Sequence, residues 1–336
     1  MQQVILASVD PKTRVTNAAG LLRFTQYCDE FGISELDRMP ASDALLAAFV
    51  SSGAAKVGSA QHWVDGLHLW HDVHGAPWHG GDLLRRALTG VRKLAPPSSH
   101  RPPRPPVTYE HLQALLVRLD FSNTKDCAVW AAASVAFWSC CRLGELLIPS
   151  RGTFDSHKHA SRSADLHRGE TRDGDPFFTL HIPFSKTTGN AGADIAIVHS
   201  SDATSPFTAL EYHLRVNHDL PESAPFFAFR QGDSWEPLTK PAFLNRCNEI
   251  WGVAGLTMIS GGHSFRIGGV TELLLRGVPP EVVAKQGRWR SDAFLKYWRR
   301  IETIVPLLIS QALFSFEVTR ISNVMESFRL RLGLSK

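Results

Sequence analysis

Between Ala95 and Pro106, six of twelve residues are proline. Proline fixes φ and has no N–H to donate, so this run is neither helix interior nor central strand, and it favours extended polyproline geometry. It divides the 336-residue chain into an N-terminal part, 1–94, a linker, 95–106, and a C-terminal part, 107–336. Both flanking parts are long enough to bury a core of their own. Arg101 and Arg104 give the linker positive charge with no acid beside it.

Residues 12–94 carry a helical pattern throughout. Ala18–Phe31 places Leu21, Leu22, Phe24 and Cys28 at helical spacing, and Gly32 ends the run. Ser42 and Asp43 are fit to cap Ala44–Val50, and Asp82 opens Leu83–Leu94. Ala60–Val73 puts Trp63, Leu67 and Trp70 on one face. Four short helices with aromatic-rich faces predict a small bundle. His71-x-x-His74 and His79 could ligate zinc. However, that segment supplies no cysteine and Gly75–Pro77 breaks the helix, so packing and surface polarity account for the histidines and no metal is expected.

The C-terminal part begins with Thr108 capping Tyr109–Leu119, then a long apolar helix from Thr124 to Cys141, apolar on most sides and therefore buried. That helix delivers Arg142-x-x-Glu145. A structural ion pair explains this pair, and so does an anion-binding arginine braced by a carboxylate. A polar stretch, Arg151–Asp175, reads as a surface insertion. Two strands follow, 177–184 and 193–198, joined by a Gly/Asn-rich connection that holds Lys186. Helices are predicted over 206–217 and 241–251, and an apolar helical pattern runs over 301–332. The fold class is mainly α with a small antiparallel sheet.

The five cysteines, Cys28, Cys127, Cys140, Cys141 and Cys247, form no CxxC pair and read as reduced thiols in an intracellular protein. No apolar run reaches the ~18 residues a membrane span needs, so no membrane partner is expected. A net charge of +4 is too mild to identify a partner by bulk charge. Locally, six Lys or Arg accompany the single acid Asp292 between Lys285 and Arg300. The chain has no P-loop, no GxGxxG after a strand and no carboxylate cluster near His263, which argues against two-metal nucleases and predicts no cofactor.

The most chemically loaded stretch is Gly262-His263-Ser264-Phe265-Arg266-Ile267-Gly268-Gly269, followed by Gly287-Arg288-Trp289 and Lys296-Tyr297-Trp298-Arg299. His263 and Arg266 share a helix face and converge on one small anion. An anion held by Arg and His beside a tyrosine points to phosphoryl transfer onto a phenol. Thr271–Trp289 superficially looks like a helix-turn-helix, but these residues bracket it and a structural role is preferred.

The ordered set Arg142-x-x-Glu145, Lys186, His263-x-x-Arg266, Trp289 and Tyr297 resembles the tyrosine recombinase (phage integrase) family. The wording from Gly287 to Arg299 is most similar to eukaryotic Crypton-type mobile elements. The resemblance implies a SAM-like helical DNA-clamping domain, a linker crossing the phosphate backbone, and a catalytic domain. It also implies catalytic roles for Arg142, Lys186, His263, Arg266, Trp289 and Tyr297, with Glu145 in support. DNA contacts would come from Arg101, Arg104, Lys285, Arg288, Arg290 and Lys296. The implied partner is double-stranded DNA, with a tetramer on DNA, a monomer or dimer in free solution, and the C-terminal apolar helix as a partner-docking element. Nuclear localisation follows if the source is eukaryotic, cytoplasm or nucleoid otherwise. A DNA-binding protein without chemistry, a type IB topoisomerase and a telomere resolvase are the alternatives. Two departures stand out. Lys158, inside the polar insertion, rivals Lys186. Trp289 lies eight residues before Tyr297 where the family commonly has nine, which leaves Arg288 as an alternative phosphate contact.

Overall fold

The computed structural model describes residues 1–53, 59–99, 102–289, 292–297 and 299–313. The chain divides into two compact units between Pro103 and Arg104, inside the proline-rich run. No described helix is long and apolar enough to cross a membrane.

The first unit is helical: α1 (Gln2–Ala7), α2 (Pro11–Glu30), α3 (Glu35–Arg38), α4 (Asp43–Ser52), α5 (Ser59–His74) and α6 (Asp82–Leu94). α2 starts earlier than the apolar periodicity suggests. Asp10 accepts the Lys12 N–H and Pro11 sits at the first helical position, so capping starts the helix while its first turn is still polar. α1 and the single turn α3 are too short to show a helical period in the sequence. Ser42 caps α4 as expected, through its hydroxyl to the Leu45 N–H. Asp43 does something the sequence does not announce. Its carboxylate accepts the N–H groups of Gly81, Leu83 and Leu84, capping α6 from another helix, and those bonds hold its pKa below the ordinary value.

Phe24, Leu46, Phe49, Val50 and Leu67 form the core of this unit. His71 is fully buried within it, with Nδ1–H donating to Leu67 O at 2.7 Å and Nε2 accepting the Ala41 N–H at 3.0 Å. Burial pushes its pKa down. Both ring nitrogens are already committed, so the zinc alternative loses its first ligand.

The second unit is built on α8 (Thr124–Trp138), buried continuously from Asp126 to Phe137. α7 (Tyr109–Arg118) is stapled at its start by the Thr108 N–H donating to His111 Nδ1. α8 stops short of the expected Cys141. Cys140 takes φ 48, the left-handed region that a residue with a Cβ avoids by ~1–2 kcal/mol. This turn sends Arg142 into the start of α9 (Leu143–Leu146). Cys140 and Cys141 are buried past the helix end, which pushes their thiols up to about 12 and about 11.

The insertion conceals a third strand. β1 (Leu166–Glu170), β2 (Pro176–Ile182) and β3 (Ala193–Val198) form an antiparallel sheet in that order, with Gly169 opposite Phe177 and Leu180 opposite Ile195. β1 is an edge strand with no buried residue, so it lacks the alternation by which β2 and β3 were legible. α10 (Pro206–Val216), the short hairpin β4 (Phe229–Gln231) and β5 (Ser234–Glu236), and α11 (Lys240–Val253) follow.

The chain then enters α12 (Ser264–Leu275), α13 (Pro280–Gln286), a 3-10 segment (Asp292–Tyr297) and α14 (Ile301–Leu313). The predicted continuation of α14 to 332 lies outside the described residues. α12 is a core helix, buried from Ser264 to Thr271, so the helix-turn-helix likeness is only in the sequence. A Cβ on Gly268 would overlap the Val107 carbonyl, and one on Gly269 the Phe137 carbonyl. The two glycines let α12 lie directly against two other backbones. A satellite core of Cys140, Val270, Leu274, Val283 and Ile304 carries the partly buried Trp289 and Tyr297 on its flank.

Candidate active site

Arg142 and Glu145 meet at the turn between α8 and α9. Arg142 Nη1 donates to Glu145 Oε1 at 2.7 Å, and the Arg142 backbone N–H donates to Oε2 at 2.9 Å. A third group shares the carboxylate: Arg288 Nη2 donates to Oε2 at 2.7 Å. Burial alone would raise the Glu145 pKa. Arg288 and Arg142 outweigh it, so the carboxyl stays below its ordinary value and is ionised. Arg142 keeps 20% of its side chain exposed, against 5% for Glu145 and 11% for Arg288.

His263 stands at the N-cap of α12. Its Nδ1 lies 3.4 Å from Arg104 Nη1, a long contact in which the guanidinium is the donor. Burial lowers its pKa first, and Arg104, Arg142, Arg266 and Lys240 lower it further, so the imidazole is neutral at pH 7. Lys240 escaped the sequence reading. It opens α11 and lies against Gly262, where an added Cβ would come 3.2 Å from Nζ. The signal available was the Thr239-Lys240-Pro241 helix start, which points a cation at whatever faces that helix end.

Arg266 is fully buried. Nη1 donates to Cys140 O at 2.8 Å and Nη2 to Gly287 O, while Nε is buried without a partner among the described residues. Among the described residues no carboxylate forms a hydrogen bond or ion pair with it. The Trp289 ring covers the guanidinium, centroid to Cζ 3.7 Å, in a cation–π stack. Burial and then Arg142 bring the Arg266 pKa down to about 10. Tyr297 packs on Trp289, ring centroids 5.2 Å apart, with its own ring 5.8 Å from Arg266 Cζ. Phenol, indole and guanidinium therefore form one cluster, the phenol ring tilted 55° to the indole, supplied by the 3-10 segment, the turn after α13, and α12.

No protein-family model and no curated protein matches the sequence. Solved structures do. One is the XerH site-specific recombinase bound to palindromic difH substrate in a post-cleavage complex: 16% identity, TM-score 0.52, covering 84% of this chain and 74% of that one. Another is the Tn1549 transposon integrase in complex with transposon right-end DNA: 13% identity, TM-score 0.53, covering 93% of this chain and 99% of that one. The fold is that of the tyrosine recombinases.

Within this recombinase fold the remaining sequence-predicted residues fall as follows. Lys186 follows β2 in the β2–β3 connection, exposed, and carries no hydrogen bond or ion pair among the described residues. Its rival Lys158 is exposed and paired with Asp155 at 2.9 Å. Arg104 and Lys285 are exposed. Arg288, expected to contact DNA, turns inward to Glu145, because the left-handed φ of 60 at this residue reverses the chain at the end of α13. Arg266, expected to offer its fork to an anion, instead gives it to two main-chain carbonyls. Arg101 and Arg290 lie outside the described residues, as does the side chain of Lys296.

Proposed function

We propose that this chain cuts and rejoins DNA through a 3′-phosphotyrosyl intermediate, with Tyr297 as nucleophile. The observation that carries the reading is the Tyr297 phenol packed at a tilt on Trp289 beside the buried Arg266, in a region where His263 is neutral and cations prevail. In this mechanism the Tyr297 oxygen attacks the scissile phosphorus and the bond from phosphorus to the 5′ oxygen breaks. The phenol proton passes to His263, and Lys186 protonates the departing oxygen. Arg142 stabilises the charge on the non-bridging oxygens, a contribution worth ~3–4 kcal/mol of barrier by analogy with other preorganised donors, and the buried Arg266 adds its positive charge from beneath Trp289. Arg104 and Lys240 neutralise neighbouring phosphates. When Arg104 turns to DNA it also frees His263 Nδ1 to accept the proton. The ester keeps the bond energy, so a 5′ hydroxyl reverses the step.

The wider reading is a site-specific recombinase of a Crypton-like mobile element, working as a tetramer on DNA, with the apolar α14 segment docking on a neighbouring copy, in a nucleus if the source is eukaryotic. A DNA-binding protein that keeps the fold without chemistry is the second reading, and the burial of Arg266 beneath Trp289 favours it.

The deciding experiment uses a pool of nicked duplexes of randomised sequence. Wild-type protein should become covalently joined to a subset of them, and Tyr297→Phe should not. Equal trapping by both would remove Tyr297 as nucleophile, and no trapping by wild type would leave the silent DNA binder. Relaxation of any supercoiled plasmid, regardless of sequence, would point to a topoisomerase.

A further inference from the structure

We infer that Arg288 is a positioning residue that sets the charge at Arg142 by occupying Glu145, and that it is not a DNA contact. The inference rests on the strand-transfer reading above and adds a residue to it.

Glu145 is divided between two arginines. Oε1 takes Arg142 Nη1, and Oε2 takes Arg288 Nη2 together with the Arg142 backbone N–H. A carboxylate facing a single arginine favours the two-point fork in which both oxygens bind one guanidinium. That pairing would neutralise Arg142 and consume two of its donors. With Oε2 already held, Arg142 spends one nitrogen on Glu145 and keeps the others for a ligand. The triad carries a net positive charge, where an Arg142–Glu145 pair alone would be neutral. Arg142 is also the most exposed of the three, so the surplus charge sits at the end that solvent and substrate reach.

Arg288 is fixed for this task. Its φ of 60 is a conformation that only a well-held non-glycine residue adopts, and Nη1 donates to Gln286 O at 3.0 Å. Its neighbours act on the other arginine: Gly287 O accepts from Arg266, and the Trp289 ring stacks on it. One three-residue turn thus governs both arginines of the site. The eight-residue step from Trp289 to Tyr297 acquires a reason, because the residue nine before Tyr297 is the one that turns back to Glu145.

The test compares single-turnover formation of the covalent adduct on a nicked duplex that wild type cuts, at saturating protein, for Arg288→Met, Glu145→Gln and the double variant. Arg288→Met should slow adduct formation by about 10- to 100-fold. DNA affinity and its salt dependence should stay those of wild type. The same Met substitution should cost far less in a Glu145→Gln background, because the neutral amide no longer competes for Arg142. A Met penalty of equal size in both backgrounds, or a salt slope reduced by about one, would mean that Arg288 touches phosphate and would overturn the inference. So would an Arg288→Met protein that cuts at the wild-type rate. Should Arg288→Met melt near room temperature, Arg288→Gln, which keeps a donor to Oε2 without the charge, replaces it: it should slow adduct formation by less than about tenfold with the wild-type salt slope, and a salt slope reduced by about one would overturn the inference. Absence of adduct with wild type on every duplex would instead sink the strand-transfer reading itself.

Discussion

Burial keeps the His263 imidazole neutral, and Arg104, Arg142, Arg266 and Lys240 add to that in turn. Lys240→Met removes one of these cations, so the His263 pKa should move back up towards ~6.5. At pH 6 a smaller fraction is then neutral, and the acid limb of the adduct-formation rate should shift to higher pH. A pH–rate profile unchanged by Lys240→Met would sever Lys240 from the site. His213 gives the clearest stability signal. Burial, followed by Arg162, lowers its pKa to about 3, and its ring is committed to Phe226 O and the Asn217 amide. The unfolded chain binds a proton near pH ~6.5 that the folded chain refuses until about 3. Stability of the second unit should therefore fall as pH drops through that window, and His213→Gln should flatten the fall in melting temperature between pH 7 and 5. At this scale residue types and spacing were legible, but direction was not. Arg142 with Glu145 could be read from the sequence. The inward turn of Arg288, the burial of Arg266 and the proximity of Lys240 depend on backbone reversals and on contacts between residues far apart in sequence.

Among the elements, α12 shows how a motif can serve packing and site together. Gly268 and Gly269, which have no Cβ, allow a close approach, and the structure fills that space with the backbones at Val107 and Phe137. Alanine at 268 would gain ~1 kcal/mol of helix propensity but meets a carbonyl that cannot move without shifting the helix. Overpacking of this kind costs about 3 kcal/mol at the upper end, so the clash wins. The net of about 2 kcal/mol means that Gly268→Ala should lower the melting temperature of the second unit by roughly 4–8 °C, and a change below a degree would show that α12 has slack. The amphipathic and fully apolar elements α4, α5, α8, β2 and β3 were legible because burial writes a period into the sequence. β1, β4, β5, α1 and α3 were not, since an exposed edge or a single capped turn leaves no such period.

For the whole molecule, the division into two compact units falls inside the proline-rich run, whose constraint is covalent and needs no partner. The core of the first unit draws on residues between Phe24 and Val91, and the cores of the second on residues between Val107 and Ile304. Calorimetry of the full chain should resolve two heat-absorption transitions. Gly268→Ala should move only one of them, and a single transition displaced as a whole would refute independent cores. Asp43 ties the first unit together in time as well as space. The end of α6 is closed by a side chain that belongs to α4, so the N–H groups of Gly81, Leu83 and Leu84 are covered only while α4 is docked. In hydrogen exchange these three amides should open with α4 and not with the fraying of their own helix, a clock for the bundle read at a helix start.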